Sequence, residues 1–220
     1  MFGVSGANAI VDWVFVELRS KSDSTVVLAT RSGLLQRDGD IVDVDGVSCL
    51  LFQGVAPDSF FVSVRHRNHL GAMTKYAQSI AQLNSTVDFT DVNLPLFDYG
   101  TTKVAGYDYT NLATNNNVVA GYRALWAGDF DANRKVKFDS PDDDLNLLLF
   151  EVLGYPTNTL SETNFDFVYG YFQGDFNMNA KDKFDNPDDD KNLLFFQLMG
   201  YPLNALPETN FDLFIEQLPR

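Results

Sequence analysis

The sequence predicts a mainly β chain with a small α component: a β-sandwich over residues 1–123, then two loop-helix repeats within residues 124–220. Three observations carry that expectation. The N-terminal half consists of short runs rich in Val, Phe and Thr, cut by polar turns. The C-terminal half is a tandem duplication, residues 128–173 and 174–219, with 26 of 46 aligned positions identical. Each copy also holds one apolar stretch that opens after Pro-Asp-Asp-Asp and stops at Gly-Tyr-Pro.

Taken in order, residues 10–18, 25–30, 41–44, 49–52, 60–64 and 86–90 are the expected strands. The segments between them, such as Asp38-Gly39-Asp40, Asp45-Gly46 and Pro57-Asp58, have turn chemistry, and residues 47–64 read as two strands around a turn at 56–59. Cys49 sits in an apolar setting and is expected to be a buried strand residue without a nucleophilic role. Residues 71–83 fit either one or two helical turns or an extended segment. Residues 91–121 are rich in Asn, Thr, Tyr and Gly and predict long surface connections, with Asn115-Asn116-Asn117 as an exposed turn. Residues 122–126 read as a last strand that runs straight into the first repeat, a junction short enough to bring the two domains into contact.

Each repeat opens on oxygen-bearing side chains spaced two apart: Asp129, Asp131 and Asn133 in the first, Asp175, Asn177 and Asn179 in the second. Alternate residues of a tight loop can aim carboxylates and amides inward, which suits a hard cation such as Ca2+ that takes about six to eight oxygens. The backbone carbonyls of Lys135 and Lys181 fall at the seventh loop position, where no side-chain ligand is needed. Ser140 and Asn186 occupy the twelfth position, where an acid normally closes such a loop, and Arg134 and Ala180 replace the usual sixth-position Gly. Ser140-Pro141 and Asn186-Pro187 instead read as a helix cap followed by proline at the first helical position. The closing carboxylate is then assigned to Asp144 and Asp190, one helical turn later, with Asp143 and Asp189 as the alternatives or as capping-box partners. Acids at a helix start gain only about 0.3–1 kcal/mol each from the helix dipole. That effect does not account for alternate oxygens ahead of the helix at the same places in both copies. The reading is therefore two Ca2+ ions, one per repeat; magnesium demands a stricter octahedron, and zinc wants Cys or His, of which the repeats have none.

The apolar stretches 145–153 and 191–199 predict buried helices, each stopped by Gly in a left-handed cap. The tails after them, with Phe165, Phe167, Tyr169 and Tyr171 in one copy and Phe211, Leu213 and Ile215 in the other, fit extended chain or helix.

Charge is uneven as well. Of a net −14, residues 128–219 hold 18 acids and 6 bases, a balance of −12. Such a field repels nucleic acid and anionic lipid and draws cations, so calcium is the expected small partner and nucleic acid is not. No run approaches the roughly 18 apolar residues of a membrane span, which predicts no membrane insertion, and the first residues do not read as a secretion signal.

Two loop-plus-helix units without an entering helix resemble a dockerin over residues 124–219. The runs Trp126-Ala127-Gly128-Asp129-Phe130-Asp131 and Asp143-Asp144-Leu145-Asn146 are similar to the C-terminal repeats of large adhesin-like surface proteins exported by type IX secretion. Residues 9–19, 34–40 and 64–71 resemble the β module, Ig-like or prealbumin-like, that precedes such repeats. The resemblance implies an extracellular or cell-surface fragment of a larger protein that anchors or adheres through an unidentified protein or glycan partner.

The only polar cluster that could suggest catalysis is Arg65, His66, Arg67, Asn68 and His69. No nucleophile elbow, phosphate loop or helical His pair accompanies it, so ion pairs with Asp12, Glu17 or Asp40 are expected instead and the chain reads as no enzyme. The rival class is a carbohydrate-binding accessory module of a secreted enzyme, with Trp13, Tyr99, Tyr107 or Tyr109 stacking on sugar.

Overall fold

The computed structural model describes residues 5–80, 85–119, 121–139, 143–187 and 189–220. It is mainly β, with antiparallel sheets and two short helices. The strands are β1 (Ile10–Ser20), β2 (Asp23–Gln36), β3 (Ile41–Val42), β4 (Asp58–Arg65), β5 (Ala72–Met73), β6 (Gln78–Ile80), β7 (Asn115–Val119) and β8 (Tyr122–Ala124). The helices are α1 (Asp144–Leu153) and α2 (Asp190–Met199). Strands β3-β2-β1-β4-β5 form one path, β6 joins β4, and β7 pairs with β8 as a separate ribbon.

The sheet is organised by the alternation of β1 and β4, which pair with Val16 opposite Val64 and Leu18 opposite Val62. Val14, Val16 and Leu18 share a face with Phe60, Val62 and Val64, and this face is buried. It is covered by Leu50, Phe52, Val87, Phe89, Leu94 and Leu96. The opposite face carries buried polar groups between Phe15 and Phe61: Glu17 faces Ser63 across the strands and takes Arg19 at 2.7 Å and Arg65 at 3.3 Å. The C-terminal tail covers this side, since Arg19 donates to the Pro219 carbonyl and Arg65 lies 3.8 Å from Glu216.

Several sequence expectations are corrected here. Residues 49–52 and 86–90 supply core side chains without becoming strands, and residues 47–64 form no hairpin. Local side-chain bonds explain why: Asp45 takes the N–H groups of Val47 and Ser48, and Asp88 takes that of Thr90, which bends the backbone away from a ladder. Cys49 is exposed. The 71–83 segment is extended as β5 and β6 as far as Ile80, its last residues lying outside the described chain. Asn115–Val119 is a strand and not a turn.

The repeats pack around a second core in which Leu148, Phe176, Leu194, Leu198, Tyr201 and Phe214 are fully buried. Tyr201 and Phe214 stack at 3.9 Å, with the Trp126 ring edge-on to both. The N-terminal half contributes Leu70, Tyr107 and Leu112 to this core. The two copies hold one another reciprocally. The loop of the first pairs with the tail of the second at Lys135 and Ile215, and Tyr169 of the first tail pairs with Lys181 of the second loop. Val136 N–H donates to Phe214 O, and Asp182 N–H to Val168 O, the same bond 46 positions on. The tails are thus extended rather than helical.

Both helices are capped by Asp143 and Asp189, whose carboxylates accept from the N–H of Asn146 and Asn192. The expected caps were three residues earlier; Asn186 has φ +97° there, while Ser140, Pro141, Asp142 and Asp188 lie outside the described residues. Gly154 and Gly200 end the helices in right-handed geometry, with φ −83° and −87°, so no left-handed cap is used.

Gly128 (φ +107°) and Gly174 are where each loop meets the other copy's helix: a Cβ would lie 2.5 Å from Leu194 Cδ1 and 2.6 Å from Leu148 Cδ1, respectively. Gly128→Ala should therefore destabilise the protein by about 1–3 kcal/mol through overpacking and a positive φ. At about 2–4 °C per kcal/mol for a chain of this size, thermal unfolding should show the loss, and an unchanged melting temperature would contradict the interlock.

Candidate metal centre

The first loop turns twice through left-handed backbone, at Ala132 (φ 56°) and Arg134 (φ 74°), and the second does so at Met178 (φ 56°) and Ala180 (φ 65°). These turns fold Asp129 and Asp131 back toward the start of α1. One oxygen each from Asp129, Asp131 and Asp144 then falls within 4.8 Å of the others. Asp129 and Asp144 are buried and Asp131 is exposed, so the group opens to solvent on one side.

Backbone amides fix its orientation. Asp129 accepts from Arg134 N–H at 3.1 Å, and Asp144 accepts from Phe130 and Lys137 N–H, both at 2.7 Å. Asn133 joins through its amide, which donates to Asp131, while its own oxygen accepts from Lys135 N–H. The second loop repeats the pattern: Asp175 accepts from Asn179 and Ala180, Asn177 from Asn179, and Asp190 from Phe176 and Lys183. Its carboxylates are Asp175, whose charge acts on Asp190, and Asp190 itself, with Asn177 where the first loop has Asp131. Asp143 and Asp189 are occupied as helix caps, which leaves Asp144 and Asp190 as the helix-borne carboxylates turned into the loops.

The lysines at the seventh position are turned away. Lys135 and Lys137 reach Asp212, at 3.6 and 2.9 Å, and Lys181 and Lys183 reach Asp166, each acid belonging to the opposite copy. Among the described residues no basic side chain pairs with Asp129, Asp131 or Asp144. Two full charges about 4 Å apart repel by on the order of 4 kcal/mol at an effective dielectric of about 20. Burial adds to this and pushes Asp129 up to about 7, Asp144 to about 8 and Asp190 to about 7. Burial also raises Asp175. At neutral pH such a group needs protons or a bound cation. The donor set is all oxygen, and it fits a hard metal ion at the first loop.

Sequence reasoning missed three contributors. Asp182 is wholly buried, and its carboxyl oxygens accept no hydrogen bond. Burial, and then the neighbouring Glu151 carboxyl, push its pKa up, since two carboxyls can bond only by sharing a proton. The signal was available, because the first copy places Val136 there. Glu216, beside Arg65 and Arg134, and Asn68, which donates to the carbonyls of Gln173 and Asp175, tie the repeats to the sheet. The expected ion pairs of the polar cluster form with Asp12 and Glu17: Arg67 and His66 each lie 3.1 Å from Asp12, and Arg65 lies by Glu17.

Two outcomes follow from these groups. Asp129, Asp144 and Asp190 have folded-state pKa values above their unfolded value of 3.8, so the stability they contribute is full below about pH 4 and is lost as pH rises through 7 to 8. Asp12, lowered to about 2, acts only at more acidic pH. In chelator the melting temperature should thus be higher at pH 5 than at pH 8, and saturating calcium should narrow the gap. Asp182→Val, the side chain of the first copy, should stabilise the protein at pH 8 by about 1–4 kcal/mol, as measured by urea unfolding.

No protein-family model, curated protein or solved structure matches this chain, so the likeness to dockerin repeats is neither supported nor contradicted by relatives.

Proposed function

We propose that this chain is a noncatalytic, extracellular calcium-binding module for protein interaction, anchoring or adhesion, at the C-terminal end of a larger secreted surface protein. In this reading residues 124–220 are dockerin-like and bind two Ca2+ ions, through Asp129, Asp131, Asn133, the Lys135 carbonyl and Asp144 in one loop and Asp175, Asn177, Asn179, the Lys181 carbonyl and Asp190 in the other. The N-terminal half is read as a sandwich whose second layer is made of irregular segments, with Leu50, Phe52, Val87, Phe89 and Leu94 packed against the sheet.

The meeting of the buried Asp129 and Asp144 with the exposed Asp131 is the observation that carries the proposal. Calcium would neutralise these acids, and each loop would then set the tail of the opposite copy, which makes the ion a structural lock. An interaction role is supported by apolar side chains left in solvent at matching repeat positions: Phe150 and Phe196 are 65% and 66% exposed, and Leu160 and Leu206 are both 78% exposed.

The carbohydrate reading has less support. Tyr109 is wholly buried and Tyr107 packs on the repeat core, so neither is free to stack on a sugar. Tyr99 is half-buried, with its hydroxyl donating to the Leu218 carbonyl and Lys103 over its ring, and Trp13 is 40% exposed.

Calcium should raise the melting temperature and chelator should lower it, with Asp129→Ala plus Asp175→Ala removing most of the difference. A melt indifferent to chelator in the unaltered protein would contradict the proposal.

A further inference from the structure

Although the loops share one backbone pattern, a cation from the sheet domain stands beside only the second. Arg67 lies two residues past the end of β4, and its side chain is 6% exposed. Its Nε donates to Asp12 Oδ2 at 3.1 Å, its Nη1 donates to the Phe172 carbonyl, and its guanidinium lies 4.3 Å from the centre of the Tyr171 ring. These three attachments hold the group in place, and its remaining nitrogen, Nη2, lies 4.0 Å from Asp175 Oδ2. A buried arginine cannot shed its proton, so the charge is permanent.

The groups facing Arg67 do not cancel it. Asp12 is shared among Arg67, His66 and the Tyr171 hydroxyl, while the Arg67 nitrogen it does not hold is the one turned to Asp175. The loops also differ in their own charges: Asn177 stands in place of the Asp131 carboxylate, Ala180 in place of Arg134 and the buried Asp182 in place of Val136.

We infer that Arg67 is an affinity-determining residue of the second loop: its fixed charge beside Asp175 competes with a divalent cation there, so the first loop fills at lower calcium than the second. This inference rests on the calcium reading. It makes the sheet domain a regulator of the C-terminal repeat, because the residue that tunes the second loop is anchored on β1 through Asp12.

Calorimetric titration of the whole chain with calcium tests it. The unaltered protein should show two binding classes at least tenfold apart, with Asp129→Ala removing the tighter. Arg67→Gln should tighten the weaker class by about tenfold and leave the tighter one unchanged, whereas Arg67→Lys, which keeps the charge, should retain weak binding. Asp12→Asn leaves Arg67 unopposed and should weaken the second class further; it decides the matter by itself if Arg67→Gln does not fold. Two classes that ignore both Arg67→Gln and Asp12→Asn overturn the role of Arg67 and leave the calcium reading intact. No calcium binding in the unaltered protein overturns both.

Discussion

Carboxylates forced together inside a folded loop are the constraint from which the C-terminal half follows. Asp129 and Asp144 are removed from water and brought to within 4.8 Å of each other and of Asp131. Backbone N–H groups orient these acids without neutralising them. The nearby lysines, which could have done so, are committed to Asp166 and Asp212 on the extended tails. Such a loop is stable only with an added positive charge, either protons or a metal ion.

That need is linked to the rest of the molecule through the exchange between copies. Each loop is clamped by the other copy's tail, and each opening glycine abuts the other copy's helix at Leu194 or Leu148. A change of charge in one loop therefore bears on the shared core of Phe176, Tyr201 and Phe214. It also reaches the sheet, because Asn68 and Arg67 hold the start of the second loop while Glu216 bonds to Gly71 and Arg65. The repeat pair is built into the N-terminal half rather than hung from it.

Much of this was legible in the chain because duplication marks the positions a unit needs. The alternate oxygens, the late acids Asp144 and Asp190 and the two helices could all be read from spacing. The strands β1 and β4 were legible for a different reason, their runs of Val and Phe between polar turns. Where the reading failed, a local bond outweighed an apolar run. Asp88 and Asp45 bend segments whose Val87, Phe89, Leu50 and Phe52 still reach the core, so burial there needed no ladder. Periodicity cannot reveal such side-chain competition. The reach of Arg67 to Asp175 was hidden too, because it joins residues from separate halves of the chain. Asp182 is not marked by the duplication, because the repeat identifies shared positions and this one differs, with Val136 in the first copy.

The central claim is that a metal ion, and not a proton, completes these loops at neutral pH. A crystal structure grown at pH 7.5 in millimolar calcium tests it most directly. The account predicts one strong peak in each loop, ringed at roughly 2.3–2.6 Å by the oxygens of Asp129, Asp131, Asn133, Lys135 and Asp144, and by their counterparts in the second copy. Loops holding only water, with the same acids turned out to solvent or paired with lysine, would contradict it.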